Sequence, residues 1–236
     1  MKYCYTLIIF SFHLGLFSQN LEAYFANADT FFKQYVVENK VCYKAIRQEP
    51  EALNHLLNAA KEIRVSVADA ANYQAFWINT YNLLVVSGVV AKYPVASPLQ
   101  IDGFFDAKKY SVAGASFTLN EIENNLLRAN FPEEPRFHFA LVCGALGCPP
   151  IINKVYDPKI LIEQLQEQTR KALNNPNFIQ VSENKISISP IFKWYKEDFE
   201  RKGSIKEFIN KYRKIALPNT GSFSYYEYNW QLNDVK

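Results

Sequence analysis

The spacing of apolar and polar positions predicts three helices in the first part of the chain. Apolar residues recur with a helical period over about 22–38, again in the stretch after Pro50, and over about 69–92 before Pro94. The last of these segments is apolar nearly all round, which is typical of a buried helix. We therefore expect a long central helix around which the other elements pack.

Short alternating runs predict strands in the later part of the chain. The expected strands are a hairpin of Lys109–Val112 with Ala115–Phe117, a hairpin of Phe178–Val181 with Lys185–Ser189 turned at Glu183-Asn184, and a Tyr-rich last strand, Ser222–Tyr228. Helices and hairpins come in clusters and do not alternate strictly. The pattern predicts an α+β fold with a largely antiparallel sheet packed with several helices around the long central helix.

Helix start signals predict the remaining helices. Thr118-Leu-Asn-Glu121 has the spacing of a capping box and opens a helix to about residue 128. Asp157-Pro158 opens another helix to about residue 173. Two further helices are expected at about 190–201 and 204–214.

The N-terminus has the pattern of a secretory signal peptide. Lys2 precedes the apolar run Leu7–Phe17, and Ser18 follows it, which predicts cleavage just after Ser18. The run is too short for a comfortable membrane span, which needs about 20 apolar residues. We therefore expect one globular domain, 19–236, that is secreted or periplasmic and has no stable membrane span after the signal is removed.

Charge and cysteine content narrow the classes of function. The net charge is +3 and the charged residues are interspersed, so no basic tract predicts nucleic-acid binding. The expected mature chain keeps Cys42, Cys143 and Cys148, an odd number for an oxidising compartment. With only His55 and His138 beside these thiols, the metal-ligand inventory is poor, and we expect no metal or other cofactor.

Residues 136–150 concentrate the reactive side chains of the chain, one histidine and two cysteines. The alternation over 136–143 predicts a strand, followed by a loop rich in glycine and proline. In a regular strand Phe137 and Phe139 would point into a core, whereas Arg136 and His138 would share the opposite face. We therefore place His138 and Arg136 on an open surface at the end of a strand.

Glu123 falls in the middle of the apolar stripe of the helix after the capping box. A carboxylate on a buried face is rarely left unpaired, so Glu123 either has a cationic or hydrogen-bonding partner or reaches water at the helix edge. His138 is a plausible partner, because a carboxylate orients and charges an imidazole. The alternative is that His138 is a satisfied core residue.

Cys143 and Cys148 have two interpretations. Either they form a local disulfide that staples the loop, or one of them is a thiolate activated by His138, with Glu123 orienting the imidazole. The spacing permits a disulfide but does not show that the two Cα atoms are close enough.

Asn79 and Asn82 lie three residues apart on one face of the long helix. Buried amides need partners, so they either line a substrate pocket together with Arg136 or hydrogen-bond a neighbouring loop. Asp198, in the helix after Pro190, could be a site carboxylate, but the favoured expectation is a surface acid.

Four segments in order resemble the family called domain of unknown function 547. They are Ala75–Asn82, Phe117–Glu123, Arg136–Pro150 and Phe192–Phe199. The resemblance covers about residues 65–200 and implies no established activity. It implies that the polar family positions fall on Asn79, Glu123, His138, Cys143 and Cys148. The family often carries a histidine where this chain has Asn124, which argues against a mechanism that needs a second histidine there.

Two hypotheses from different classes follow. The first is a secreted thiol-dependent hydrolase or acyl transferase with Cys143 or Cys148 as the nucleophile, His138 as the base and Glu123 as the orienting acid. Its substrate would be a small molecule, a peptide or a glycan. The second is a non-catalytic cell-envelope binding module, in which the cysteines form a staple, His138 and Glu123 are a structural pair, and an aromatic-rich surface binds glycan or protein. A redox protein is less favoured, because the spacing is not Cys-x-x-Cys.

Overall fold

The computed structural model describes residues 7–182, 185–220 and 222–235, with side chains from Asn20 onward. The helices are α1 (Leu7–Tyr35), α2 (Tyr43–Gln48), α3 (Glu51–Glu62), α4 (Ala70–Val90), α5 (Leu119–Glu121), α6 (Leu161–Leu173), α7 (Ile191–Trp194), α8 (Lys196–Glu200) and α9 (Ile205–Tyr212). The strands are β1 (Val36–Val37), β2 (Lys40–Val41), β3 (Tyr110–Val112), β4 (Ala115–Phe117), β5 (Ile179–Ser182), β6 (Lys185–Ile188) and β7 (Ser222–Tyr225). The fold is α+β, as predicted, with small and mainly antiparallel sheets.

The long helix α4 carries much of the main core. It begins after Asp69, whose side chain accepts the backbone N–H of Asn72, and it ends shortly before Pro94. Sixteen of its 21 residues are buried. Because the helix is enclosed on almost every side, its polar side chains must find partners inside the protein.

Three small sheets replace the single sheet that the strand pattern suggested. β1 pairs with β2 and β3 pairs with β4, both antiparallel. β5 and β6 form the second predicted hairpin, although the turn expected at Glu183-Asn184 lies outside the described residues. The last strand β7 is shorter than predicted and pairs parallel to β6.

The strand predicted over 136–143 is wrong. Residues Pro135–Phe139 form a 3₁₀ helix, in which Glu134 caps the start by accepting the N–H of Arg136 at 3.3 Å. Pro135 at the first position has the fixed φ that helix starts favour and no N–H to leave unpaired. The Glu-Pro pair therefore directs this segment into a helix despite its strand-like alternation.

The 3₁₀ helix joins the two hydrophobic clusters of the protein. Phe137 packs into the larger cluster with α1 to α4, whereas Phe139 packs into the smaller one with β5, β6 and α7 to α9. A 3₁₀ helix has three residues per turn, so residues two positions apart differ by about 240° around the helix axis. The two phenylalanines therefore diverge instead of sharing a strand face. His138 lies between them and is 4% exposed.

The C-terminal segment returns across the molecule after β7. It bonds to the loop after the 3₁₀ helix, to Ala96 and to β2, where Val41 exchanges backbone hydrogen bonds with Asn233 and Val235. Asn233 also accepts the hydroxyl hydrogen of Tyr43 at 2.7 Å inside the core. These bonds hold the tail beside the cysteine loop.

Of the predicted signal peptide, residues 1–6 lie outside the described residues, and residues 7–18 are described by their backbone alone, as the start of α1. It stays a prediction. Within the described ranges, no helix has both the length and the hydropathy needed to cross a bilayer.

Candidate functional site

Glu123 is buried next to the capping box, which is one of the two alternatives that its place in the apolar stripe left open. Thr118 and Glu121 make the box, with the Glu121 carboxylate accepting the N–H of Thr118 at 2.7 Å and the Thr118 hydroxyl accepting the N–H of Glu121 at 3.1 Å. The helix then widens into a π-helical segment, Ile122–Arg128, a form that often occurs at functional sites. Glu123 is 7% exposed, and the Tyr81 hydroxyl on α4 donates to it at 3.4 Å.

His138 lies between two carboxylates. Its Nδ1 is 3.6 Å from Glu123 Oε1, the pair that the sequence suggested, and its Nε2 is 2.7 Å from Asp198 Oδ2. A carboxylate only accepts hydrogen bonds, so Nε2 carries the hydrogen and donates to Asp198. The ring also stacks on Tyr195, with the centroids 3.8 Å apart. Both nitrogens of the imidazole are thus directed at acids.

Asp198 is the centre of this ion cluster, and the expectation of a surface acid is wrong. Its side chain is 12% exposed and accepts from Arg128 twice, at 2.6 Å from Nε and 3.0 Å from Nη2. Burial by itself would raise the pKa of Asp198, but the hydrogen bonds from His138 and Arg128 outweigh it and hold the pKa well below its usual range. Asn124 accepts from Arg128 Nη1 and helps to hold the guanidinium in place.

Three tyrosines lie near Glu123, namely Tyr81, Tyr195 and Tyr228. Burial, and after it the negative charge of Glu123, raises the pKa of Tyr81 and of Tyr195. The pKa of Tyr228 is also raised, first by burial, then by Tyr226 and then by Glu123. The three phenols therefore stay protonated and can act as hydrogen-bond donors.

Cys143 and Cys148 are joined by a disulfide with a Cα–Cα distance of 6.1 Å. The backbone N–H of Cys143 donates to Sγ of Cys148 at 2.8 Å, and the Tyr228 hydroxyl lies 3.3 Å from Sγ of Cys143. Among the described residues, neither sulfur is a hydrogen-bond partner of His138. Of the two contacts that the hydrolase hypothesis requires, the one between Glu123 and His138 is present. The one between His138 and a cysteine sulfur is not found among the described residues.

The third cysteine, Cys42, is free and half-buried. Burial, together with the nearby Asp234, raises the pKa of its thiol. A thiol with a raised pKa is a poor nucleophile at neutral pH. Cys42 therefore has the properties of a structural residue.

The cysteine loop is bonded along its length to the C-terminal segment. Leu146 N–H donates to Gln231 at 2.8 Å, and Gly147 N–H donates to Asn229 at 2.8 Å. A Cβ on Gly147 would come within 2.9 Å of the Asn229 oxygen and of the Tyr228 ring, which explains the glycine. Gly144 has a φ of +76°, which lets the chain turn directly after Cys143.

The two amides of α4 have backbone partners. Asn79 donates to the carbonyls of Ala75 and Tyr156 at 2.8 Å each and accepts the Tyr156 N–H at 2.9 Å. Asn82 donates to Ala140 and accepts from Val142, both at 3.0 Å. These bonds favour loop support over the substrate-binding role that the sequence also allowed.

Arg136 has its charge already paired. Its Nε donates to Glu134 at 2.6 Å, and Nη1 donates to the carbonyl of Ile162 at 3.3 Å. The side chain lines a surface cavity of about 530 Å³ together with Arg170 and Lys211. The strand face on which it was expected to sit beside His138 does not form.

A group of aromatic rings lies next to the disulfide, with Trp194 exposed, Trp230 partly exposed and Tyr228 buried, and we call these three residues the aromatic platform. Trp194 and Trp230 stack at an interplanar angle of 28° with centroids 6.0 Å apart. Tyr228 contacts both indoles, at 4.9 Å and 4.8 Å. Trp194 is 48% exposed and Tyr228 is 8% exposed. Tyr228 therefore lies between the two indoles of the platform on one side and the buried Glu123 and Cys143 on the other.

The sequence interpretation missed Arg128 and the tyrosines near Glu123, and it ranked the site role of Asp198 below that of a surface acid. A usable signal existed for Asp198, which lies three residues after Tyr195 within one of the recognised motifs and so shares its helix face. The same segment precedes the buried Phe199. In the part of the chain that the structure describes, no group of three or more His, Cys, Asp or Glu residues is arranged to hold a metal ion.

Comparison with protein families gives one match. The family described as "Protein of unknown function, DUF547" matches residues 66–173, which confirms the resemblance seen in the motifs. Glu123, His138 and the two bonded cysteines lie inside the matched segment, whereas Asp198 and the aromatic platform lie beyond it. No curated protein and no solved structure matched the chain.

Proposed function

We propose that this protein is an exported binding module of the cell envelope whose aromatic platform binds glycan. The observation that carries the proposal is a pair of stacked indoles, one of them 48% exposed. Export rests on the predicted signal peptide. Exposed aromatic rings held in a fixed geometry are a common feature of binding surfaces.

The chemistry around the platform suits a sugar ring. The apolar C–H face of a pyranose can stack on an indole, while its hydroxyls need hydrogen-bonding groups at the edge of the ring. Asn229 and Gln231 flank Trp230 in sequence, and both are exposed. A glycan would therefore find stacking and polar contacts on adjacent residues.

The size of the platform favours a small ligand over a protein partner. A stable protein interface buries about 800 Å² on each side. Of the three rings only Trp194 is strongly exposed, and the exposed Leu146 lies in the adjoining cysteine loop, whereas Leu99, Ile162 and Ile215 lie in other segments of the chain. The small size of the platform therefore favours glycan over protein as the ligand.

The buried cluster of Arg128, His138, Asp198 and Tyr195 supports the platform. Asp198 accepts hydrogen bonds from both Arg128 and His138, and Tyr195, stacked on the imidazole, follows Trp194 directly in the chain. We infer that the cluster fixes the end of α7 and with it the orientation of Trp194. In this role His138 needs no free ring nitrogen.

Trp194→Ala is the sharpest test of glycan binding. We expect the wild-type protein to bind an envelope glycan, such as peptidoglycan fragments, and the variant to bind at least about tenfold more weakly, because it loses a stacking anchor. Isothermal calorimetry with soluble oligosaccharides measures this. Ile215→Ala is the matched control, since it removes an apolar side chain that is 77% exposed in the segment after α9. Equal affinity of the wild-type protein and Trp194→Ala would contradict the proposal.

The thiol-dependent hydrolase remains the second candidate, favoured by the N–H that Cys143 directs at Cys148 Sγ. Such a donor stabilises a thiolate. This hypothesis requires a reduced pair and a His138 ring that turns away from Asp198. We expect the reduced protein to show no turnover of activated esters above that of a Cys143→Ser/Cys148→Ser double variant. Turnover that either single serine variant abolishes would favour the hydrolase.

A further inference from the structure

We infer that Cys143 and Cys148 form an exchange site that accepts electrons from dithiol peptides, in addition to any glycan binding and independent of it. The pair lies at the surface edge of the protein, with both cysteines half-buried and Leu146 between them 43% exposed. A disulfide that a thiolate can reach is open to exchange.

The loop does not need the disulfide to keep its shape. Four backbone hydrogen bonds hold it: Leu146 and Gly147 donate to the tail, Asn233 donates to Gly144 at 3.0 Å, and Cys148 donates to Ala145 at 3.2 Å. The bridge closes a sequence separation of only five residues, so it restricts the unfolded chain by about 2 kcal/mol, less than a bridge across a long loop would. It therefore adds stability to a loop whose shape the four backbone hydrogen bonds already hold.

Each sulfur has a hydrogen-bonding group positioned to stabilise the thiolate formed on reduction. Cys148 Sγ accepts the backbone N–H of Cys143 at 2.8 Å, and Cys143 Sγ has the Tyr228 hydroxyl at 3.3 Å. Because a sulfur that is stabilised as a thiolate leaves faster, the N–H makes Cys148 the better leaving group. The incoming thiolate is therefore directed to Cys143.

The exchange balances without another reactant. One peptide thiolate attacks Sγ of Cys143, the bond between the two cysteines breaks, and its electron pair goes to Cys148. The second peptide thiolate then attacks the peptide sulfur of the mixed disulfide, and Cys143 leaves as a thiolate beside Tyr228. The peptide loses two electrons and two protons and becomes a disulfide, while the protein gains them as two thiols.

The test uses the full chain carrying Cys4→Ser and Cys42→Ser, so that only the loop cysteines react. With reduced glutathione at about 5 mM, we expect reduction of more than half of the protein, and a mixed disulfide, trapped by acid and mapped by mass spectrometry, on Cys143 in at least about tenfold excess over Cys148. The reduced protein should melt as cooperatively as the oxidised one. A bond that resists glutathione, a mixed disulfide mainly on Cys148, or loss of the cooperative melt on reduction would each overturn the inference.

Tyr228→Phe tests the second step. Without the hydroxyl, release of Cys143 from the mixed disulfide is expected to slow at least about fivefold, so that the intermediate accumulates. The control is Tyr225→Phe, which removes a hydroxyl from a residue that is 42% exposed. An unchanged lifetime of the mixed disulfide in Tyr228→Phe would contradict the role assigned to Tyr228.

Discussion

Asp198→Ala is expected to lower the free energy of unfolding by about 3 kcal/mol. The substitution leaves Arg128 and His138, which now donate to this carboxylate, without their shared acceptor. Breaking a buried charged pair costs about 3–5 kcal/mol, and the lower end applies here because the Arg128 side chain is 26% exposed. Urea unfolding followed by tryptophan fluorescence measures the change.

The matched control is Glu227→Ala, which removes an exposed acid and should change the stability by less than about 0.5 kcal/mol. A loss in Asp198→Ala no larger than in this control would show that the cluster contributes no stability.

The contribution of Asp198 should depend on pH in the acid range. Burial raises the pKa of Asp198, but the hydrogen bonds from His138 and Arg128 outweigh it, so the folded-state pKa is depressed. The stabilisation by Asp198 is therefore complete above the unfolded-state pKa of about 4 and is lost as the pH falls below it. The stability difference between the wild-type protein and Asp198→Asn is therefore expected to shrink between about pH 4 and pH 2. A difference that grows on acidification would contradict this assignment.

Asn79→Ala is expected to destabilise the protein by about 4 kcal/mol. The side chain is fully buried and satisfies both the N–H and the C=O of Tyr156, which lies on a different part of the chain. Alanine would leave both backbone groups unpaired, at about 1–3 kcal/mol each. The same unfolding measurement applies.

Asn58→Ala provides the comparison, because Asn58 is exposed on α3 and bonds only to Lys61 among the described contacts. We expect it to change the stability by less than about 0.5 kcal/mol. If Asn79→Ala were equally mild and also weakened ligand binding, the amide would have the substrate role instead of the structural one.

The elements predicted correctly are those with local signals. The long helix over about 69–92 is found as Ala70–Val90, and the capping box at Thr118 and Glu121 forms with both hydrogen bonds. The hairpin of β3 and β4 turns at Ala113 and Gly114, which both have positive φ. Caps, turns and apolar periodicity act over a few residues, so one sequence is enough to recognise them.

The failures share a different cause. The alternation over 136–143 indicated a strand, but the Glu134 cap and Pro135 begin a 3₁₀ helix there, and Phe137 and Phe139 enter different hydrophobic clusters. Asp198 looked like a surface acid because nothing near it in the sequence is its partner. Arg128 and His138 lie 70 and 60 positions away.

The sequence by itself determined the α+β class, the family resemblance, the place of Glu123 in the apolar stripe of its helix and the concentration of reactive residues over 136–150. Only the tertiary structure decided that His138 lies between two acids, that Cys143 is bonded to Cys148, and that Tyr228 connects both to an exposed aromatic platform. The physical reason is distance along the chain. Periodicity and caps are set by neighbouring residues, whereas the hydrogen-bond partners of buried groups come from distant segments that the packing brings together.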